Sequence, residues 1–359
     1  MGSITETWAR LTRDRRVAWA AYVLIAVALA ALPFAVDAAL GRAWVRIIDV
    51  ALLFVMLALG LNIVVGYAGL LDLGYVAFFA VGAYAYALLA SPQFDIHTSF
   101  LLLLPLGALV TAMFGVLLGA PTLKLRGDYL AIVTLGFGEI IRIFLNNLNR
   151  PFNITNGPQG ITLIDPLQIG GVALNETFIV LGITLAPVHS YYFVFLLCAL
   201  LIIVVSLRLE DSRIGRAWIA IREDEAAARA MGINTRNIKL LAFAMGATFG
   251  GVSGGLFAAF QGFISPESFT LLDSIMILCM VVLGGMGHVP GVVLGAVLLT
   301  ALPEALRYVG PLQKDWFGQV FVDPSDLRML LFGLALVLMM LFRPAGLWPS
   351  KIRKREWTA

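Results

Sequence analysis

The sequence predicts an all-α, polytopic transmembrane helix bundle of about ten spans, with two internally related halves and broken helices. Three observations carry this reading. The 359 residues are 60% hydrophobic and only 13% charged, where soluble domains carry about 25% charged residues, and the mean hydropathy is +0.92. Apolar runs long enough to cross a bilayer, roughly 20 residues each, recur along the chain. Two shorter runs are interrupted by Gly or Pro in the two halves, a pattern that points to repeat architecture around a central pathway.

In chain order the runs lie at about residues 17–36, 47–66, 74–90, 100–120, 129–147, 190–207, 238–258, 271–286, 290–306 and 327–343. The first lacks a small-residue cleavage site and reads as a retained span, not a signal peptide. Lys and Arg placement orients the set, because basic residues stay on the cytoplasmic side. With both termini inside, the cytoplasmic segments hold eighteen of the 25 basic residues, among them Arg10, Arg13, Lys124, Arg126, Arg208, Arg213, Arg216, Arg222, Arg229, Arg236, Lys239, Arg343, Lys351 and Arg355. The other seven are Arg42, Arg46, Arg142, Arg150, Arg307, Lys314 and Arg328. The expected organisation is a basic N-terminus at 1–16, one transmembrane domain at 17–347 and a basic tail at 348–359. Residues 148–189 form its external segment and 208–237 a cytoplasmic loop. The basic balance, with a pI near 8.9, reflects membrane orientation and not nucleic-acid binding.

A weak internal echo leads into the two interrupted runs, those at 74–90 and 290–306. Residues 64–74 read Val-Val-Gly-Tyr-Ala-Gly-Leu-Leu-Asp-Leu-Gly, and 282–291 read Val-Leu-Gly-Gly-Met-Gly-His-Val-Pro-Gly. Each places glycines three apart after an apolar run. Such breaks survive at membrane depth only where protein or a water-filled cavity covers the backbone. Asn62, Gly66, Gly69, Asp72, Gly74, Gly284 and Gly287 are therefore the candidate pathway residues. In the run 238–258, Ala242, Gly246, Gly250, Gly254 and Ala258 recur every four residues on one helix face, which lets another helix approach closely. Packing within the chain outweighs a homodimer seam as the reading of Gly246, Gly250 and Gly254.

Charges within the runs are few. Asp72 either caps a broken helix or serves function. Glu139 and Arg142, three apart on one face, either pair locally or serve function, and Asp273 opens a span. Asp128 reads as a helix cap. Cys198 and Cys279 lie in apolar runs and read as buried small hydrophobes. No metal-ligand spacing of His or Cys, no phosphate-binding loop and no catalytic triad spacing occurs, so neither a metal site nor an enzyme is expected, and any nucleotide must be bound by another chain.

Residues 222–233 form a polar, Ala-rich stretch in this apolar chain. Glu223, Asp224 and Glu225 suit the N-terminus of a helix and Arg229 its C-terminus. Gly232 supplies a stop. Alone, the stretch reads equally as a solvated connecting helix or as a handle gripped by another protein.

These segments resemble a known family. Gly60-Leu61-Asn62, Gly66-Tyr67-Ala68-Gly69-Leu70-Leu71-Asp72-Leu73-Gly74, Leu125-Arg126-Gly127-Asp128-Tyr129 and Thr134-Leu135-Gly136-Phe137 are similar to branched-chain amino acid ABC transporter permeases. So are Thr155-Asn156-Gly157-Pro158-Gln159-Gly160, the run from Ser212 to Ile233, Gly284-Gly285-Met286-Gly287 and Arg343-Pro344-Ala345-Gly346-Leu347. The resemblance covers about residues 45–348 and is closer to the M-type permease than to its H-type partner. It implies a multi-pass subunit of the bacterial inner membrane that carries Leu, Ile and Val without itself being an enzyme. Its implied partners are an H-type permease, two cytoplasmic ATPases that bind the ATP, an external solute-binding protein and membrane lipid. No cofactor is implied for this chain. By resemblance, Glu223, Asp224, Glu225, Ala226, Ala227, Ala230, Met231, Gly232 and Ile233 form the ATPase-coupling segment. Four residues separate Ala227 from Gly232, where the commonest importer motif has three, and the usual following Leu-Pro is missing. Urea or amide permeases of the same family are the alternative, and an ion-coupled secondary transporter is the reading from another class.

Overall fold

Eleven α-helices make up most of the described part of the chain. The computed structural model describes residues 15–94, 96–123, 125, 127–169, 172–180 and 183–307, with 313, 330, 333–334, 337–338, 341–342 and 346–348. Helix α1 spans Arg15–Leu40 and α2 Arg42–Leu61, the latter continuing as a π-helical turn over Asn62–Tyr67. Then come α3 (Val76–Leu89), α4 (Phe100–Thr122), α5 (Asp128–Asn147), α6 (Pro187–Glu210), α7 (Arg213–Glu223), α8 (Glu225–Ala230), α9 (Thr235–Gln261), α10 (Leu271–Gly284) and α11 (Val289–Arg307).

Among these residues seven helices are long and apolar enough to cross a membrane: α1, α2 with its π-turn, α4, α6, α9, α10 with the turn before it, and α11. The sequence predicts about ten. Helix α3, at 14 residues, is shortened because the chain leaves helical geometry between Tyr67 and Val76, where Gly69 takes a φ of 68°. Helix α5 covers the run at 129–147 but carries Asp128, Glu139 and Arg142. Ten of the seventeen residues of the run at 327–343 lie outside the described residues, as do all of residues 1–14 and 349–359.

The fold is not purely helical. Four antiparallel pairs of two- or three-residue strands interrupt it: Ala90–Ser91 with Ile96–His97, Ile161–Thr162 with Phe263–Ile264, Gln168–Ile169 with Val172–Ala173, and Phe178–Val180 with Ile183–Leu185. All lie at one end of the bundle. Among the described residues between α5 and α6, helix is limited to a 3-10 turn at Gly157–Gln159, and backbone groups there pair in small ladders instead.

Helix α9 is the centre of the bundle. It lies against α2, α3 and α4 through its small residues. A Cβ on Gly246 would meet the Gly60 carbonyl and the Val64 side chain. One on Gly254 would collide with the backbone of Phe79 and Ala83. Gly82 of α3 and Gly251 of α9 touch backbone to backbone, and Gly115 of α4 rests on Phe243 and Ala247. The Tyr75 hydroxyl donates to the Gly246 carbonyl at 2.8 Å. Ala242, Phe243, Ala247, Leu256 and Ala258 are fully or almost fully buried. Lipid is as apolar as these side chains, so the association draws on close van der Waals contact instead of burial from water. On the outside, Leu109, Met113 and Leu117 of α4 and Ile132, Ile140 and Phe144 of α5 are exposed, a surface that suits lipid or an apolar partner.

The polar contacts sort into two ends. At one, Arg46 donates to Gln261 at 2.9 Å, Asp165 N donates to the Ala90 carbonyl, Gln93 donates to the Asn153 carbonyl, and Arg142 bridges Glu139 and Glu267 at 3.0 and 3.1 Å. At the other, Tyr67, Glu210, Trp218, Arg222, Lys239, Gly287 and Trp348 meet one another's segments. Glu139 and Arg142 thus belong to an end of the bundle and tie α5 to the turn at Pro266–Ser268.

The packing ranks two substitutions. A Cβ on Gly250 faces Phe78 Cβ at 3.1 Å, a contact that a small shift relieves, whereas Gly254 faces backbone. Gly254→Ala should therefore lower the melting temperature of the detergent-solubilised protein more than Gly250→Ala, by overpacking of about 1–3 kcal/mol. The opposite order would show that α9 does not pack on α3 through this face.

Candidate functional site

The polar stretch at 222–233 folds as two helices with a sharp corner, not as one helix from Glu223. Ser212 caps α7 by accepting from Gly215 N at 3.1 Å. Trp218, fully buried, donates its indole N–H to the Ile238 carbonyl at 2.8 Å, which locks α7 onto the first turn of α9. Glu223 is the last residue of α7, and Asp224 is extended at φ −152°, ψ 108°. Its Oδ1 accepts from Ala226 N at 2.8 Å and Ala227 N at 3.0 Å, capping α8. A short polar side chain that binds nearby backbone N–H groups competes with helix continuation, so the three acids divide: one ends a helix, one caps the next and one enters it. Gly232, at φ 86°, closes the segment, and Ile233 N donates to the Ala228 carbonyl.

Helix α8 is held from below and open above. Ala228 is buried. Glu225 accepts from Lys239 at 2.8 Å, and the Lys239 ammonium is almost entirely buried. Arg229 reaches the other Glu225 oxygen at 3.2 Å. The opposite face presents Ala226, Ala227, Ala230 and Met231, the last 84% exposed.

The two glycine breaks meet beneath this loop. Gly287 N donates to Asn62 Oδ1 at 2.8 Å across 225 positions of sequence. A Cβ on Gly66 would strike both Asn62 and Gly287 N. Arg222, in the last turn of α7, donates through Nη1 to the Gly66 carbonyl at 2.6 Å. Its stem lies where a Cβ on Gly69 would stand, and Nη1 passes 3.5 Å from the Cβ position of Gly287. Asn62, Gly66, Gly69 and Gly287 are thus one cluster with Arg222 at its centre.

The other pathway candidates lie elsewhere. Asp72 is buried and accepts from Gly74 N at 2.9 Å, closing an Asx turn. Gly74 packs on the Thr134 backbone, and the Thr134 hydroxyl accepts from Leu73 N at 3.0 Å. Gly284 contacts Gly291 and Val292 of α11, and Trp348 N donates to its carbonyl at 3.1 Å. Asp273 builds a capping box with Thr270, accepting at 2.9 Å from its N and 2.7 Å from its hydroxyl. Asp128 does not cap α5: it is the first helical residue after Gly127, which makes no side-chain cap bond.

Two residues escaped the sequence reading as site members. Arg222 was one basic residue among many, and only the fold sets it against a helix end 156 positions away. Asp49 lies inside α2, is fully buried, and neither carboxylate oxygen has a hydrogen-bond partner among the described residues. A charge near the start of an apolar run was the available signal.

Asp224→Ala removes the cap of α8, worth about 1 kcal/mol. Hydrogen exchange at the amides of Ala226–Ala230 should accelerate several-fold. Unchanged exchange would mean that the Glu225–Lys239 pair holds α8 alone.

Known proteins are similar to this sequence. A family model described as "Branched-chain amino acid transport system / permease component" matches residues 43–340. The high-affinity branched-chain amino acid transport system permease protein LivM of Escherichia coli (strain K12) is 44% identical over 339 residues, 91% of this chain and 75% of that protein. A probable LivM of Methanocaldococcus jannaschii is 27% identical, covering 83% of this chain and 91% of the relative. The LivH permease of Salmonella typhimurium (strain LT2) is 26% identical over 272 residues, 73% of this chain and 84% of the relative. No solved structure matches the chain. The match across the glycine breaks, the bundle and the polar loop shows that this chain belongs to the permease-component family of branched-chain amino acid transport systems.

Proposed function

We propose that this chain is the M-type half of a permease pair in an ATP-driven importer, carrying Leu, Ile and Val that an external solute-binding protein delivers. The single observation that carries the coupling part of this reading is α8: capped by Asp224, anchored by Lys239, and exposing a slim face of Ala226, Ala227, Ala230 and Met231. A short rigid helix of this kind fits a groove in another protein. The sequence holds no phosphate-binding loop, so the ATP belongs to two partner ATPases, and α8 with Glu223, Gly232 and Ile233 is the surface they grip. The similarity to both M-type and H-type relatives supports a second permease as partner.

Ten spans and two related halves complete the reading. Helix α3 is enclosed by protein along most of its length, so a short crossing is affordable; α5 supplies another and 327–343 the tenth. The end with the basic loop at 208–237 faces the cytoplasm, together with both termini and the tails at 1–16 and 348–359, in a bacterial inner membrane. The end with 148–189 faces out and receives the binding protein. ATP binding closes the ATPases, α8 moves with them, and the breaks around Asn62, Gly66, Gly69, Asp72, Gly74, Gly284 and Gly287 rearrange to pass the substrate inward. Selectivity resides in the binding protein, so the pathway needs little affinity.

Two measurements test this. Gln159→Cys should react with an impermeant thiol reagent applied outside intact cells and Arg236→Cys should not; both side chains are exposed. The reverse pattern would put α8 outside and end the ATPase reading. Ala227→Trp should leave membrane insertion intact and abolish both transport and substrate-stimulated ATP hydrolysis in the full complex. Wild-type transport by that variant would leave α8 a solvated linker.

A further inference from the structure

We propose that Arg222 is the positioning residue that transmits movement of the ATPase-gripped loop to the broken end of α2. The inference rests on the coupling reading above and goes beyond it by naming the link. Its basis is a clamp on one short element. Over Asn62–Tyr67 the helix widens to π geometry, a form that recurs at functional sites, and then stops. The last carbonyls of a helix lack intrahelical partners and carry partial negative charge. The Gly66 carbonyl, one of these, takes its hydrogen bond from Arg222 Nη1 at 2.6 Å. One residue further on, the Tyr67 hydroxyl donates to Glu210 Oε2 at 3.1 Å. Glu210 ends α6 and Arg222 sits in the last turn of α7. The π-turn is therefore gripped from both ends of α7, by the residue that ends α6 before it and by its own last turn.

The glycines suit this arginine. Gly69 at φ 68° and Gly287 at φ 80° leave the space its side chain crosses. Gly287 N holds Asn62 at the other side of the π-turn, so movement of Arg222 acts on both breaks. Trp218 and its bond to Ile238 make α7 a stiff lever one turn away from Arg222. Only two residues, Glu223 and Asp224, separate Arg222 from α8.

The test uses the assembled transporter with both permeases, the ATPases and the binding protein in vesicles, and reads leucine transported per ATP hydrolysed. Arg222→Met keeps the apolar stem against Gly69 and removes the guanidinium; it should lower that ratio about tenfold, the scale of one charge-assisted hydrogen bond. Arg222→Lys keeps the charge without the planar donor fork and should fall between Met and wild type. Tyr67→Phe, which changes no volume of consequence, should also lower the ratio about tenfold, the scale of a hydrogen bond to a carboxylate. A purely structural role would change the yield of complex and leave the ratio alone. A wild-type ratio in Arg222→Met overturns the proposal; if that variant fails to assemble, a wild-type ratio in both Arg222→Lys and Tyr67→Phe overturns it. The two readings fail separately. If Ala227→Trp still transports, the coupling reading falls whatever Arg222 does. If Ala227→Trp is inactive and Arg222→Met keeps the wild-type ratio, only the Arg222 link falls.

Discussion

A chain this apolar cannot break a helix without finding partners for the backbone groups that the break frees. That constraint organises the end of the bundle where α2 stops. The Gly66 carbonyl takes Arg222, Gly287 N takes Asn62, Gly74 N takes Asp72 and Leu73 N takes Thr134. Each partner comes from a different element: the polar loop, the π-turn, the break itself and α5. The break thereby becomes the point where four separate parts of the chain are held together. Had α2 continued as a regular helix, none of these side chains would have a task there.

The second constraint is closeness. Helix α9 touches α3 and α4 backbone to backbone at Gly251–Gly82 and at Gly115, which only residues without a Cβ allow. The resulting core is stiff, because it contains few flexible side chains to yield. Movement is then left to the segments outside these glycine contacts. The polar loop joins α9 near its N-terminal end, at Ile238 and Lys239, away from them. It hangs from α9 through Trp218 and Lys239 and exposes the rest of α8 to whatever binds there.

The sorting of polar contacts to two ends links the fold to transport. One end gathers small strand pairs, Arg46, Arg142 and the long segment after α5. The other gathers the two breaks, the corner at Asp224 and the segment Gly346–Trp348. In the proposed importer these two ends would be the receiving face and the driven face, which a chain whose spans alternate direction keeps apart.

The sequence by itself determined the class of molecule. Composition and the repeat of apolar runs dictated a membrane bundle, because no soluble arrangement could cover so much apolar surface. Short-range chemistry was legible in part: Asp273 opens an apolar run, Gly232 ends α8, and glycines every four residues face another helix, whereas Asp128, read as a cap, is the first residue of α5 instead. Those inferences need only the geometry of one helix. What the tertiary structure decided was every pairing over distance. That Gly66 and Gly287 share a cluster, that Arg222 reaches the end of α2, and that Asp49 is sealed inside α2 depend on how the spans stack, and a stack of equally apolar helices leaves no periodic signal of who neighbours whom. The sequence also misplaced the start of α8, since three consecutive acids suit a helix N-terminus equally well. Asp224 won that position because its side chain, and not that of Glu223 or Glu225, is short enough to turn back onto the N–H groups two and three residues ahead.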